Sequence, residues 1–227
     1  MKFNFKIQQY QTDAVDAVVK VFQGQSFHEK TMYIRDLGDK KQQNVQMGFT
    51  DEETEMYDET NDTSYKNELV ELTDEQLLQN IQTLQRQNNI KTSSSLIKGL
   101  GRCSLDIEME TGTGKTYVYI KTMFELNRRY GWSKFIVVVP SIAIREGVKK
   151  SFEITASHFQ EYYGKKARPF VYNSANLNEL DHFSSGSGIN VMIINTQAFA
   201  TSLKEGGRSK ESRIIEHKEP IEIVLHI

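Results

Sequence analysis

The 227-residue chain carries 28 basic and 30 acidic side chains, and its net charge of -2 excludes a wholesale polycation built to coat nucleic acid, leaving only local basic patches open. Its single cysteine, Cys103, excludes a disulfide framework and a cysteine-built metal site. The start, MKFNFKIQQY, holds no continuous apolar stretch of a secretory signal, and the runs FIVVV and VMII are far too short to span a bilayer, so a cytoplasmic protein without a membrane partner is expected.

The first predicted element lies in QQYQTDAVDAVVKVFQG. Ala14, Val15, Val18, Val21 and Phe22 recur at helical spacing, and Gly24 marks a stop. Residues 38–68 change character. DEETEMYDETNDTSY is acidic and poor in branched apolar residues, so it buries too little surface to offset its ordering entropy and is expected to be a mobile loop. In LTDEQLLQNIQTLQRQNN, Thr73 and Gln76 form a capping box, and Leu77, Ile81 and Leu84 make one apolar stripe. KTSSSLIKGLG reads as a linker.

From Ser104 the pattern becomes α/β. Strands are predicted at 104–109, 134–140, 169–173 and 189–195, and helices at 115–130, at roughly 142–160 and from near 197. Val- and Ile-rich strands alternating with helices predict a mostly parallel sheet covered on both faces. Asp106, Glu108 and Glu110 alternate before the loop, but period two more simply places Leu105, Ile107 and Met109 on the opposite face. Trp132 is expected to anchor a helix end in the core.

Between the first strand and its helix stands METGTGKT. The phosphate-loop pattern G-x-x-x-x-G-K-[ST] is matched at Gly114, Lys115 and Thr116, with Met109 in place of the first glycine. Thr111, Gly112, Thr113 and Gly114 allow the backbone to turn tightly and bring its amides to phosphate oxygens. The helix that follows aims its positive end at the same anion. Lys115 suits the β- and γ-phosphates of ATP as a point charge, and the Thr116 hydroxyl suits Mg²⁺.

The non-glycine first position resembles the motor of superfamily 2 helicases and translocases. FKIQQYQTDAVDAVVKVFQGQ, ELTDEQLLQNIQTLQRQNNIK, the run from SLDIEMETGTGKT to ITASHF and INVMIINTQAF together resemble the N-terminal part of the restriction subunit of type III restriction–modification enzymes, over roughly residues 3–205. The resemblance implies a RecA-like P-loop α/β fold, with ATP and Mg²⁺ as cofactors and Lys115 and Thr116 as the catalytic contacts. It also implies movement on double-stranded DNA, a separate nuclease domain and a methyltransferase (modification) subunit as partner. Gln11 matches the adenine-reading glutamine of such motors; otherwise it is a polar residue at a helix start. Tyr10 either stacks on the base or lies in the core. Ser141 and Arg145 match a motif that touches the DNA backbone, against the alternative of a capped helix start with a solvated arginine. Thr196 and Gln197 match a further DNA-facing motif. The basic run at 204–213 reads as a solvated face before a DNA contact.

The resulting division is an N-terminal helix with the adenine-reading motif (1–24), a polar and acidic insertion with one amphipathic helix (25–103) and a partial motor domain (104–227). The family's Asp-Glu-Pro motif has no match, because Lys218 precedes Glu219-Pro220 and the apolar run follows it. The sequence therefore reads as the front of a larger motor, with a tail like that left by a frameshift or a truncated gene. The alternative is a catalytically inactive remnant that binds nucleotide or a partner. A small-molecule kinase is disfavoured by the hundred or so residues before the loop.

Overall fold

The computed structural model describes residues 5–29, 31–34, 63–98, 102–173 and 178–198. Helix α1 (Gln9–Val21) forms where the apolar spacing placed it, burying Val15, Val18 and Val19. Strands β1 (Thr31–Ile34) and β2 (Thr63–Lys66) then pair antiparallel, with Met32 opposite Tyr65. This corrects the expectation of a mobile loop over 38–68 at its C-terminal end. TSYK has strand-favouring residues, and β1 supplies the ladder partner that composition does not reveal. Helix α2 (Asp74–Gln87) carries the full Thr73–Gln76 capping box. Its Leu77 is fully buried, with Ile81 and Leu84 packed behind it on the same stripe. Asn80 docks it by donating to the Val21 and Gln23 carbonyls, each at 2.9 Å.

Helix α3 (Lys115–Tyr130) ends at a left-handed Gly131, and a short link leads into β3 (Lys134–Val139). Helix α4 (Ile142–Tyr163), β4 (Ala167–Val171), α5 (Asn178–Ser185) and β5 (Ile189–Asn195) follow. The three strands form a parallel sheet in the order β3-β5-β4. Alternation along the strands explains its two covered faces. Val137, Val139, Val191 and Ile193 point into the main core with α3 and α4. Met192, with Ile136 and Phe170, points the other way, onto Leu180 and Phe183 of α5. Val137, Val139, Val191 and Ile193 are each 0% exposed, so each contributes about 1.5–3 kcal/mol of burial.

Helix α5 was not expected. Leu180 and Phe183 are three apart, a weak signal alone, and they bury only because the sheet presents that face. Segment 104–109 was expected to be a strand and is not one. Its side chains keep the period of two only in part: Leu105 and Met109 pack on the core and Asp106 and Glu108 are exposed, but Ile107, expected on the core face, is 36% exposed. Among the described residues no strand lies beside it to form a ladder, and alternation alone cannot supply inter-strand hydrogen bonds. The predicted helix near 197 is seen as helical residues 196–198; its continuation, the basic run at 204–213 and Glu219-Pro220 lie outside the described residues.

Two devices join the parts. Rings from α3 and α4 interleave: Phe124 stacks on Phe159 at 4.9 Å and on Tyr163 at 5.1 Å, and Tyr117 stacks on Phe159 at 5.2 Å. The Asn67 amide accepts from the backbone N–H of Ser133 and Lys134 and donates to the Lys134 carbonyl, tying the segment after β2 to the start of β3. Trp132 is 1% exposed and packs edge-on against Phe22, as expected of a helix-end anchor.

Candidate nucleotide site and nucleic-acid-facing edge

Residues 110–116 form a turn that delivers the chain into α3. Gly112 has φ +84° and Gly114 φ +86°, both in the left-handed region that penalises any residue with a Cβ. The Thr113 amide and hydroxyl both donate to the Glu110 carbonyl, which closes the turn. Glu110 thus serves through its backbone. Gly114 is the N-cap of α3, so the first-turn amides at Lys115 and Thr116 have no intrahelical acceptors. A Cβ on Gly112 would meet nothing within 4 Å, so open space lies in front of the turn. Thr111, Gly112 and Lys115 are exposed around it. Unpaired amides, a positive helix end and one exposed lysine beside open space fit a polyphosphate, and the Thr116 hydroxyl in the first turn fits its cation.

Helix α1 reaches this loop from outside. The Gln11 side chain donates through Nε2 to the Thr113 carbonyl at 2.9 Å, and the Tyr10 hydroxyl donates to the same oxygen at 3.2 Å. Sequence spacing could not reveal this contact across a hundred residues. Tyr10 is 49% exposed, which corrects the reading of it as core. Gln11 approaches so closely that a Cβ on Gly114 would lie 2.6 Å from its Nε2. The Lys121 ammonium donates to the Thr12 hydroxyl at 3.1 Å and fastens α1 to α3 one turn further on.

One residue near the loop escaped the sequence reading. Tyr119 lies on α3, three positions after Thr116, and is 5% exposed; among the described residues its hydroxyl has no hydrogen-bond partner. Burial pushes the phenol up to about 12, opposed by the nearby Thr116 hydroxyl, although the two fall outside hydrogen-bond geometry. The i, i+3 spacing was the available signal.

The other candidate residues gather at one edge of the sheet. Val139 and Asn195 end neighbouring parallel strands in register, so the segments that follow β3 and β5 lie side by side at the carboxyl edge. Ser141 follows β3 and caps α4, its hydroxyl accepting from the Ile144 amide at 3.3 Å. Arg145, one turn on, pairs with its neighbour Glu146 at 3.3 Å. Thr196 and Gln197 follow β5 and are exposed. Ligands of parallel α/β sheets bind at this edge. Ser141 and Arg145 therefore sit together with Thr196 and Gln197, while Gln11 sits with Thr113 and Gly114.

The parallel sheet with helices on both faces and a glycine turn opening α3 defines a RecA-like α/β fold. A family model described as "Type III restriction enzyme, res subunit" matches residues 4–223, and the chain belongs to that family. Among curated relatives, the type III restriction-modification enzyme EcoP15I Res subunit of Escherichia coli is 37% identical over 107 residues, 46% of this chain and 11% of its own length. The EcoPI Res subunit of Escherichia phage P1 is 36% identical over 105 residues, 45% of this chain and 11% of that protein. The StyLTI Res subunit of Salmonella typhimurium is 45% identical over 64 residues, 27% of this chain and 6% of that protein. The alignments thus span about a tenth or less of each relative. No described helix is long and apolar enough to cross a membrane.

Proposed function

We propose that this chain binds ATP with Mg²⁺ and forms the nucleotide-holding part of a type III restriction subunit, a DNA-dependent ATPase and translocase that supports cleavage of duplex DNA. The observation that carries the reading is the pair of left-handed glycines setting free amides, a helix amino end and Lys115 around open space. In this reading residues 1–24 recognise the base, 25–103 form an insertion and 104–227 hold the phosphates and face DNA.

The amides of Gly112, Gly114, Lys115 and Thr116 clasp the β-phosphate, and Lys115 neutralises charge on the β- and γ-phosphate oxygens. The Thr116 hydroxyl holds Mg²⁺, which when bound offsets negative charge on the same oxygens. Because the Thr113 carbonyl fixes Gln11 Nε2 as its donor, Gln11 Oε1 is left to accept from an exocyclic amino group. At C6 adenine offers that donor where guanine presents a carbonyl, so an amide facing that edge selects ATP over GTP. The same contact links base recognition to the loop that holds the phosphates.

Ser141, Arg145, Thr196 and Gln197 contact the DNA backbone along the carboxyl edge. Arg145, 21% exposed, exchanges the exposed Glu146 for a phosphate, trading one charged partner for another. The relatives' designation as restriction-modification Res subunits supports a modification (methyltransferase) subunit as partner and cytoplasmic action on DNA.

Calorimetric titration of the folded chain with a non-hydrolysable ATP analogue and Mg²⁺ tests the reading. Binding is expected, and Lys115→Ala should weaken it at least tenfold, roughly the value of one charge-assisted contact. Absence of binding by soluble wild-type protein would refute the proposal. Steady-state hydrolysis with and without duplex DNA separates a working ATPase from a binding module.

A further inference from the structure

We propose that Tyr119 is a positioning residue that turns the Thr116 hydroxyl toward the cation accompanying the nucleotide. The inference rests on the nucleotide reading above and adds a residue to it.

Tyr119 is 5% exposed, and its hydroxyl is buried without a hydrogen-bond partner among the described residues. Phenylalanine would fill the same core position, beside Val118 and Ile120, without burying an unpaired donor. An orphaned hydroxyl here points to a partner acquired in another state. Geometry nominates Thr116. Long helical side chains lean back over the preceding turn, and Thr116 lies three residues earlier on the neighbouring face of α3.

The chemistry explains why this partner would be needed. A threonine in a helix divides between two rotamers, because its hydroxyl also bonds the carbonyl of the preceding turn. Only an orientation that aims a lone pair outward suits a cation. A hydroxyl oxygen has two lone pairs and one hydrogen. With one lone pair on the cation, the other accepts from the Tyr119 phenol, and the threonine hydrogen remains free to donate. The neutral phenol carries one O–H, so it acts as the donor.

The test uses the complete chain carrying Tyr119→Phe. Affinity for a non-hydrolysable ATP analogue is measured by calorimetry in excess Mg²⁺ and again in EDTA, beside thermal unfolding. We expect a three- to tenfold loss in Mg²⁺, about one hydrogen bond's worth, no change in EDTA and an undiminished Tm. In a Thr116→Ala background the same substitution should cause no further loss. Equal losses in Mg²⁺ and EDTA would reduce Tyr119 to a packing role and overturn the inference. So would an unchanged Mg²⁺ affinity in a wild-type chain that binds normally, which leaves the nucleotide reading standing. A wild-type chain that binds nothing removes both.

Discussion

Alanine substitutions at the two loop glycines separate backbone strain from a specific collision. Gly112 and Gly114 have nearly the same φ, +84° and +86°, so an added Cβ forces the same left-handed penalty at each, about 1–2 kcal/mol. Their surroundings differ. At Gly112 the new carbon meets nothing within 4 Å, whereas at Gly114 it would stand 2.6 Å from Gln11 Nε2. Gln11 has a flexible end and moves aside, but it then surrenders its 2.9 Å bond to the Thr113 carbonyl, a loss of about 1 kcal/mol. Gly114→Ala should therefore destabilise by roughly 2–3 kcal/mol and Gly112→Ala by roughly 1–2, a gap of about 1 kcal/mol. Urea unfolding of both variants, alone and with Gln11→Ala, measures the gap. It should close when Gln11 is shortened, because nothing is left to displace. A gap that survives intact in the Gln11→Ala background would refute the reasoning.

Two further predictions follow from contacts away from the loop. Asn67→Ala removes three hydrogen bonds to Ser133 and Lys134 and leaves the buried Ser133 amide unpaired, a cost of about 2–4 kcal/mol; thermal unfolding should show Tm falling by roughly 5–15 °C, and Asn67→Asp, which keeps the acceptor, should fall less. His158 on α4 accepts or donates at 2.9 Å with the Tyr117 hydroxyl, and burial holds its pKa below the usual value of 6.5, with Glu161 and Lys121 acting in opposite senses. The denatured chain then takes up this proton first, so stability is full above about pH 6.5 and declines as pH falls through that value. Denaturation between pH 7.5 and 5.5 should show this decline flattened in His158→Gln, and an unchanged slope would remove His158 as the cause.

Wherever local chemistry decided the outcome, residue order was enough. The apolar spacing of Val15, Val18 and Val21 marks α1 without reference to any neighbour. The Thr73–Gln76 box forms from groups three residues apart, and it starts α2 where the sequence places it. The glycine turn before Lys115 is equally local, because left-handed backbone is open mainly to residues lacking a Cβ. The near-continuous apolar run in 189–195 foretold a strand with two buried faces, and the sheet bears this out with Ile193 on one side and Met192 on the other. Prediction failed where an outcome needed a partner distant in sequence. β2 exists because β1 lies beside it, and α5 because Ile136, Phe170 and Met192 present an apolar surface. Residues 104–109 have a strand's alternation but no neighbouring ladder among the described residues.

By itself, then, the sequence determined the helices that cap and pattern themselves, the glycine turn with its lysine and threonine, and the α/β class. Only the tertiary structure decided that Gln11 closes on the Thr113 carbonyl, that the segments after β3 and β5 meet at one edge, and that the Tyr119 hydroxyl is buried one turn from Thr116. The division has a physical cause. Caps, turns and amphipathic periods are satisfied within a few residues, whereas a side chain's distant partner depends on how whole elements pack.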